Sequence, residues 1–182
     1  MKKLLAILLA LICLTASANA QKVISFKRWQ SNLSLAAGTN YEGLSGQIAL
    51  DTRFQTSSFG FTTAISYSQR TIGINSPIGQ FDGQFSGFIF EIDGYYSLYR
   101  FLVPAPIDIK PYIGILYALE SVKRPDNKKD KYNSFGNSFG VTLQYYFSGA
   151  ISLLIKQNGY YIYNTPLGEL HGSTLVGLSF ML

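Results

Sequence analysis

The chain has 182 residues, of which 47% are hydrophobic, 15% aromatic and only 14% charged, with 17 Gly, one Cys and one His. Such a composition excludes a disordered chain, which combines high net charge with few aromatics. The single Cys and single His exclude a disulfide framework and a Cys- or His-built metal centre. The length suits one domain, and 13 Phe with 13 Tyr point to β structure.

Residues 1–20 read as a secretory signal. Met1-Lys2-Lys3 is basic, Leu4–Leu14 is an apolar run, and Ala18-Asn19-Ala20 supplies the small-residue cleavage pattern. Cys13 follows the large Ile12, which argues against lipid attachment. A chain starting at Gln21 has 13 basic against 10 acidic side chains, a net charge of +3 in place of the formal +5. No later apolar run reaches helix-spanning length, so residues 21–182 are predicted to be either an exported soluble domain or a membrane barrel.

Eight segments then alternate with period two. In Gln30–Thr39, Leu33, Leu35 and Ala37 oppose Asn32, Ser34, Ala36 and Gly38. Gly43–Phe54 sets Leu44, Gly46, Ile48 and Leu50 against Ser45, Gln47, Ala49 and Asp51. Ser58–Arg70 sets Phe59, Phe61, Thr63, Ile65 and Tyr67 against small residues. Gln84–Tyr99 places Phe88, Phe90 and Ile92 opposite Glu91 and Asp93, and Ile109–Val122 places Ile113, Ile115, Tyr117 and Leu119 opposite Gly114, Ala118 and Glu120. Ser134–Phe147, Ala150–Tyr163 and His171–Leu182 complete the set, with Lys156 on the polar face of the seventh.

The expected links after strands two, four and six are short or moderate, whereas Thr71–Gly83 and Ser121–Asn133 read as long polar loops, with Asn164–Leu170 intermediate. Aromatics gather at strand ends in two groups, one with Trp29, Phe54, Phe59, Tyr96, Tyr99, Tyr112, Tyr145, Phe147 and Phe180, the other with Tyr67, Phe85, Phe88, Tyr117, Phe135, Phe139, Tyr161 and Tyr163. An all-β, eight-stranded antiparallel up-and-down transmembrane β-barrel of the bacterial outer membrane has this layout, with aromatic girdles at both interfaces. A soluble lipocalin-like barrel has the same alternation with its apolar face inward. Small Ser, Gly, Thr and Ala on the second face suit a narrow lumen, so the membrane reading is favoured and outer-membrane lipid is the first expected partner.

No cofactor motif, metal-ligand spacing or nucleophile elbow is present. Glu91, Asp93 and Lys156 share the inward parity, and Asp51 with Arg53 form a second expected pair near one rim. A lumen ion-pair network is the expected role of all five, because buried charges must be paired. The competing reading is acid–base catalysis by Glu91 and Asp93, or by the lone His171, and the chain is read as no enzyme. Lys123, Arg124, Lys128, Lys129 and Lys131, with Asp126 and Asp130, give one loop a net charge of +3, which suits anionic lipid, glycan or DNA. The loop lacks aromatics for base stacking, which argues against direct nucleic-acid binding.

Residues 91–102 and 109–125, EIDGYYSLYRFL and IKPYIGILYALESVKRP, resemble the conjugative-transposon TraO family, in the acidic-x-x-Gly-aromatic-aromatic strand and the Gly114 strand running into Glu120. Residues 138–182 are similar too, through Gly140, Tyr145-Tyr146-Phe147-Ser148, Thr165–Leu167 and Gly177-Leu178-x-Phe180. The resemblance implies an outer-membrane component of a DNA-transfer apparatus, with other apparatus proteins as partners and no catalytic residues. The alternative is a stand-alone surface barrel for adhesion or membrane stability.

Overall fold

The computed structural model describes residues 29–40, 43–54, 57–76, 79–98, 106–124, 126, 128–163 and 170–182, with backbone alone for 29 and 72–82. The expected signal at 1–20 lies outside these, as do Tyr99 and the side chain of Trp29. Eight strands follow one another: β1 (Trp29–Asn40), β2 (Gly43–Phe54), β3 (Phe59–Ser76), β4 (Gly79–Tyr96), β5 (Ile107–Lys123), β6 (Lys129–Tyr146), β7 (Ile151–Ile162) and β8 (Leu170–Met181). Each pairs antiparallel with its neighbour, and β8 closes on β1 through Leu33↔Phe180 and Leu35↔Leu178. The fold is therefore a closed all-β barrel with no free lateral edge between β1 and β8.

Parity decides which side of the wall each residue faces. Ser66, Glu91, Asp93, Ser138, Gln144 and Asn158 are buried inside, whereas Leu35, Ile48, Ile65, Phe90, Ile113, Phe139 and Val176 are exposed outside. The barrel is thus apolar outward and polar inward, which excludes the lipocalin-like arrangement. A wall of exposed Leu, Ile and Phe is far larger than the apolar patches a monomer in water carries, and it suits hydrocarbon. The fold is that of a transmembrane β-barrel.

Outward aromatics pair at both ends, some across strands and some two residues apart along the chain. Phe59–Tyr96 (ring centroids 4.8 Å) and Tyr145–Phe147 (5.2 Å) mark the turn end; Tyr67–Phe88 (4.9 Å), Tyr117–Phe135 (4.9 Å) and Tyr161–Tyr163 (5.2 Å) mark the loop end. Two of the expected girdle members belong elsewhere. Tyr112 and Phe85 have inward parity and are buried in the lumen, because strand position alone does not place a ring inside or outside.

The two long loops are largely strand. β3 and β4 continue to the cross-strand pair Ser76↔Gly79, and β5 and β6 to Lys123↔Lys129. Residues 71–76 of β3 lie beyond the pair Gly43↔Arg70 that ends β2, and β6 runs seven residues past its last partner pair with β7, Gly136↔Ile162. At about 3.3 Å per residue, the β3–β6 wall stands roughly 20 Å proud of the other half. Thr71 and Val122 are β-branched, which favours extended backbone where these hairpins begin.

Candidate functional site

Inside the barrel the polar parity builds two storeys of paired charge. Near the turn end, Asp108 from β5 accepts hydrogen bonds from Ser97 Oγ at 2.8 Å and lies 3.7 Å from Arg53 of β2. Arg53 also donates to Ser97 (3.0 Å) and to Gln30 Oε1 (3.4 Å). Beside it, Lys110 lies 3.3 Å from Asp51 and donates to Gln144 Oε1 at 2.7 Å, while Thr62 donates to Asp51 at 2.5 Å. Asp51 and Arg53, expected to pair with each other, sit two residues apart on one face, and the partners come from across the lumen. Cross-lumen geometry places the opposite charge against each head group, which two same-side neighbours on one strand do not.

Midway up, Glu91 of β4 and Lys156 of β7 meet at 3.5 Å. Glu91 Oε1 accepts from Ser66 (2.8 Å), Tyr160 (3.0 Å) and Gln47 (3.1 Å). Asp93 lies 3.7 Å from the same Lys156 and accepts from Ser138 Oγ. The ammonium also donates to Gln47 Oε1 (3.2 Å) and stands 4.7 Å from the Tyr112 ring centroid. Glu91 and Asp93 are 2% and 1% exposed, so these charges depend on one another. Sequence reading misses Asp108, Lys110, Gln47, Tyr112 and Tyr160. The signal is present in Asp108 and Lys110, which share the inward parity of β5 with Glu120, but Asp108 falls in the expected link before the strand.

Above the charges lies an apolar layer of Ile89, Leu116, Ala118, Tyr160 and Ile162. Two charged storeys and this layer fill the interior, as expected for eight strands, whose lumen is just wide enough for side chains. Reconstituted into planar bilayers, the barrel is expected to carry no large steady ion current; sustained single-channel steps would contradict a side-chain plug.

His171 Nδ1 faces Arg70 Nη2 at 3.2 Å. The guanidinium has only donors, so Nδ1 accepts and the imidazole is the neutral Nε2–H tautomer. This contact ties His171 to an arginine and gives it no activated nucleophile. Among the described residues no three His, Cys, Asp or Glu are placed to hold a metal ion.

At the loop end the basic segment is a hairpin tip. Arg124 pairs with Asp130 at 2.5 Å and Lys128 with Asp126 at 3.7 Å. Lys123, Lys129 and Lys131 carry the excess. All three are exposed on the outward parity, with Lys123 directly opposite Lys129 and Lys131 opposite Ser121.

This geometry is that of the small outer-membrane β-barrel fold, and solved structures share it. A major outer-membrane protein from Thermus thermophilus matches with a TM-score of 0.68 at 14% identity, covering 86% of this chain and 100% of that one. The N-terminal β-barrel domain of Pseudomonas aeruginosa OprF matches at 0.60 and 14%, covering 84% and 97%, and Neisserial surface protein A at 0.59 and 14%, covering 84% and 94%. No protein-family model matches the chain, and no curated protein does.

Proposed function

We propose that this chain is a non-enzymatic barrel of the bacterial outer membrane, which holds a rigid external wall against an anionic partner surface. One observation carries the reading: Lys123 and Lys129 face each other on the outward side of a hairpin that projects beyond the loop-end girdle. Like charges directly opposite each other destabilise a strand pair. A facing anion offsets that cost, and the lysines lie on the same outward face as the Tyr117–Phe135 girdle pair. Lipid-linked phosphates and acidic glycans at the cell surface have the matching chemistry. Among the described residues the lumen carboxylates Asp51, Glu91, Asp93 and Asp108 each face a Lys or Arg, which supports a scaffold role over catalysis.

Replacing Lys123, Arg124, Lys128, Lys129 and Lys131 with Gln is expected to lower retention on a heparin column or on anionic vesicles. Wild-type retention should fall steeply with salt, since screening acts over about 8 Å at physiological ionic strength. The variant should still show the heat-modifiable gel shift of a folded barrel. Unchanged retention would contradict the anionic contact, and loss of the gel shift would make the hairpin structural.

Within this class the TraO resemblance of residues 91–125 and 138–182 supports a finer reading, a component of a conjugative DNA-transfer apparatus with the projecting wall docked on another apparatus protein. Deletion of the gene should then reduce transfer frequency. An unchanged frequency with reduced cell attachment would favour the stand-alone adhesion barrel, which uses the same wall.

A further inference from the structure

Among the described residues, Gln157 of β7 is the one carboxamide on the outer wall between the two aromatic girdles. It shares the outward parity of Ile155 and Tyr161 and is exposed. Four residues separate it from Tyr161 of the loop-end girdle. In the other direction, four separate it from Leu153, the cross-strand partner of girdle Tyr145. At about 3.3 Å per residue, the amide stands roughly 13 Å along the strand from either girdle, midway through the hydrocarbon. Asn137, the nearest other outward carboxamide, lies at the loop-end girdle itself, opposite Tyr161, and accepts from the Tyr163 hydroxyl at 2.7 Å.

An amide at mid-depth is costly unless its polar atoms are paired, and polar residues kept at such positions make contacts. Gln157 Oε1 accepts from Thr174 Oγ1 on β8 at 2.6 Å. Its two Nε2–H donors have no acceptor among the described residues. The wall beside it is low. Toward the loop end Gly159 faces Gly172, with the Phe139 ring lying over Gly159, and Thr174 faces Thr39 of β1. Toward the turn end Ile155 and Val176 form an exposed apolar pair.

We propose that this β7–β8 face docks a second copy of the chain within the membrane, the two Gln157 amides hydrogen-bonding each other across a two-fold axis along the bilayer normal. An amide is self-complementary, because Oε1 has a second lone pair beyond the one Thr174 uses and Nε2 has two protons to give. Copies of one chain insert the same way round, so their Gln157 side chains stand at equal depth. Rotation about the normal then brings them face to face as a closed pair that uses one patch on both copies. A different partner would need a polar group of its own at that depth. Gly172 and Thr174 allow close approach, as small residues do at membrane interfaces, and Ile155 and Val176 pack below the amides. The inference rests on the wall lying in lipid, which belongs to the function proposed above, and not on the lysine hairpin.

The test is sedimentation equilibrium of the full chain, folded in a detergent matched in density to the buffer, over a range of protein-to-detergent ratios. The heat-modifiable gel shift is read on each sample. Wild type should follow a monomer–dimer equilibrium. Gln157→Leu should weaken dimerisation about tenfold or more, the size of two lost hydrogen bonds, whereas apolar contact alone predicts tighter association. Thr174→Val, which releases the amide, should weaken it several-fold and carries the test if Gln157→Leu loses the gel shift. Ile92→Ala on β4, across the barrel and 57% exposed, should dimerise like wild type, and so should the five-fold Gln hairpin variant. A wild type that is monomeric at every ratio, with its gel shift intact, overturns the docked copy and leaves the barrel reading standing. A wild type without the shift overturns that reading and this inference with it. Gln157→Leu dimerising as tightly as wild type would overturn the amide contact, and trimers or larger assemblies would overturn the two-fold.

Discussion

Lys156→Met is expected to destabilise the barrel by about 3–5 kcal/mol, the cost of stranding buried charge by removing its partner. Among the described residues Lys156 is the one cation that pairs with Glu91 and with Asp93. Its loss leaves two carboxylates two residues apart on one inward face, both almost wholly buried. Urea unfolding in lipid vesicles, followed by the heat-modifiable gel shift, measures the effect. Adding Glu91→Gln and Asp93→Asn to Lys156→Met should recover most of the loss, because the storey is then neutral and still hydrogen-bonded to Ser66, Tyr160 and Ser138. A change within about 0.5 kcal/mol for the single variant, the size seen at ordinary surface positions, would mean that water screens the lumen.

A second large effect belongs to the outer face. Ile48 sits midway along β2 and is 57% exposed; Leu44, on the same face near the loop end, is 74% exposed. Ile48→Arg should cost about 2–4 kcal/mol in a bilayer, and Leu44→Arg about 0–1 kcal/mol, because the penalty for a charge on the lipid face depends on depth. Urea unfolding in lipid vesicles compares the two. In water both are exposed surface positions where a substitution costs within about 0.5 kcal/mol, so equal small costs at both sites would contradict a lipid-facing wall.

How much of this is legible in the sequence follows from what a period of two can encode. The alternation of Phe59, Phe61, Ile65 and Tyr67 with Gly60, Thr62, Ala64 and Ser66 marks both strand and face, since one parity is small and polar and the other large and apolar. The strand count and the membership of Glu91, Asp93 and Lys156 in one lumen follow from the same pattern. Strand ends are less visible. Thr71–Gly83 and Ser121–Asn133 look like loops because they are polar, yet a hairpin standing beyond the bilayer has water on its surface and needs no apolar face. Partners across the lumen are invisible for a different reason. Closure and register set whether Asp51 meets Arg53 or Lys110, and neither is written along a single strand. The contact of Arg70 with His171 is hidden for the same reason, since β3 and β8 are brought together only by closure.

The odd-numbered residues 61–65 of β3 are exposed outward, where a bilayer puts them in hydrocarbon, and the even-numbered ones are sealed inside. Cys13 is the one cysteine of the sequence, and it falls in the expected signal, so single cysteines can be spin-labelled one at a time along 61–65 in vesicles. Collision rates with oxygen, which enriches in lipid, and with a water-soluble nickel chelate read the environment of each label. High oxygen and low nickel accessibility is expected at Phe61, Thr63 and Ile65, and low accessibility to both at Thr62 and Ala64. Nickel accessibility dominating at Phe61, Thr63 and Ile65 would place that face in water and contradict the membrane-spanning barrel.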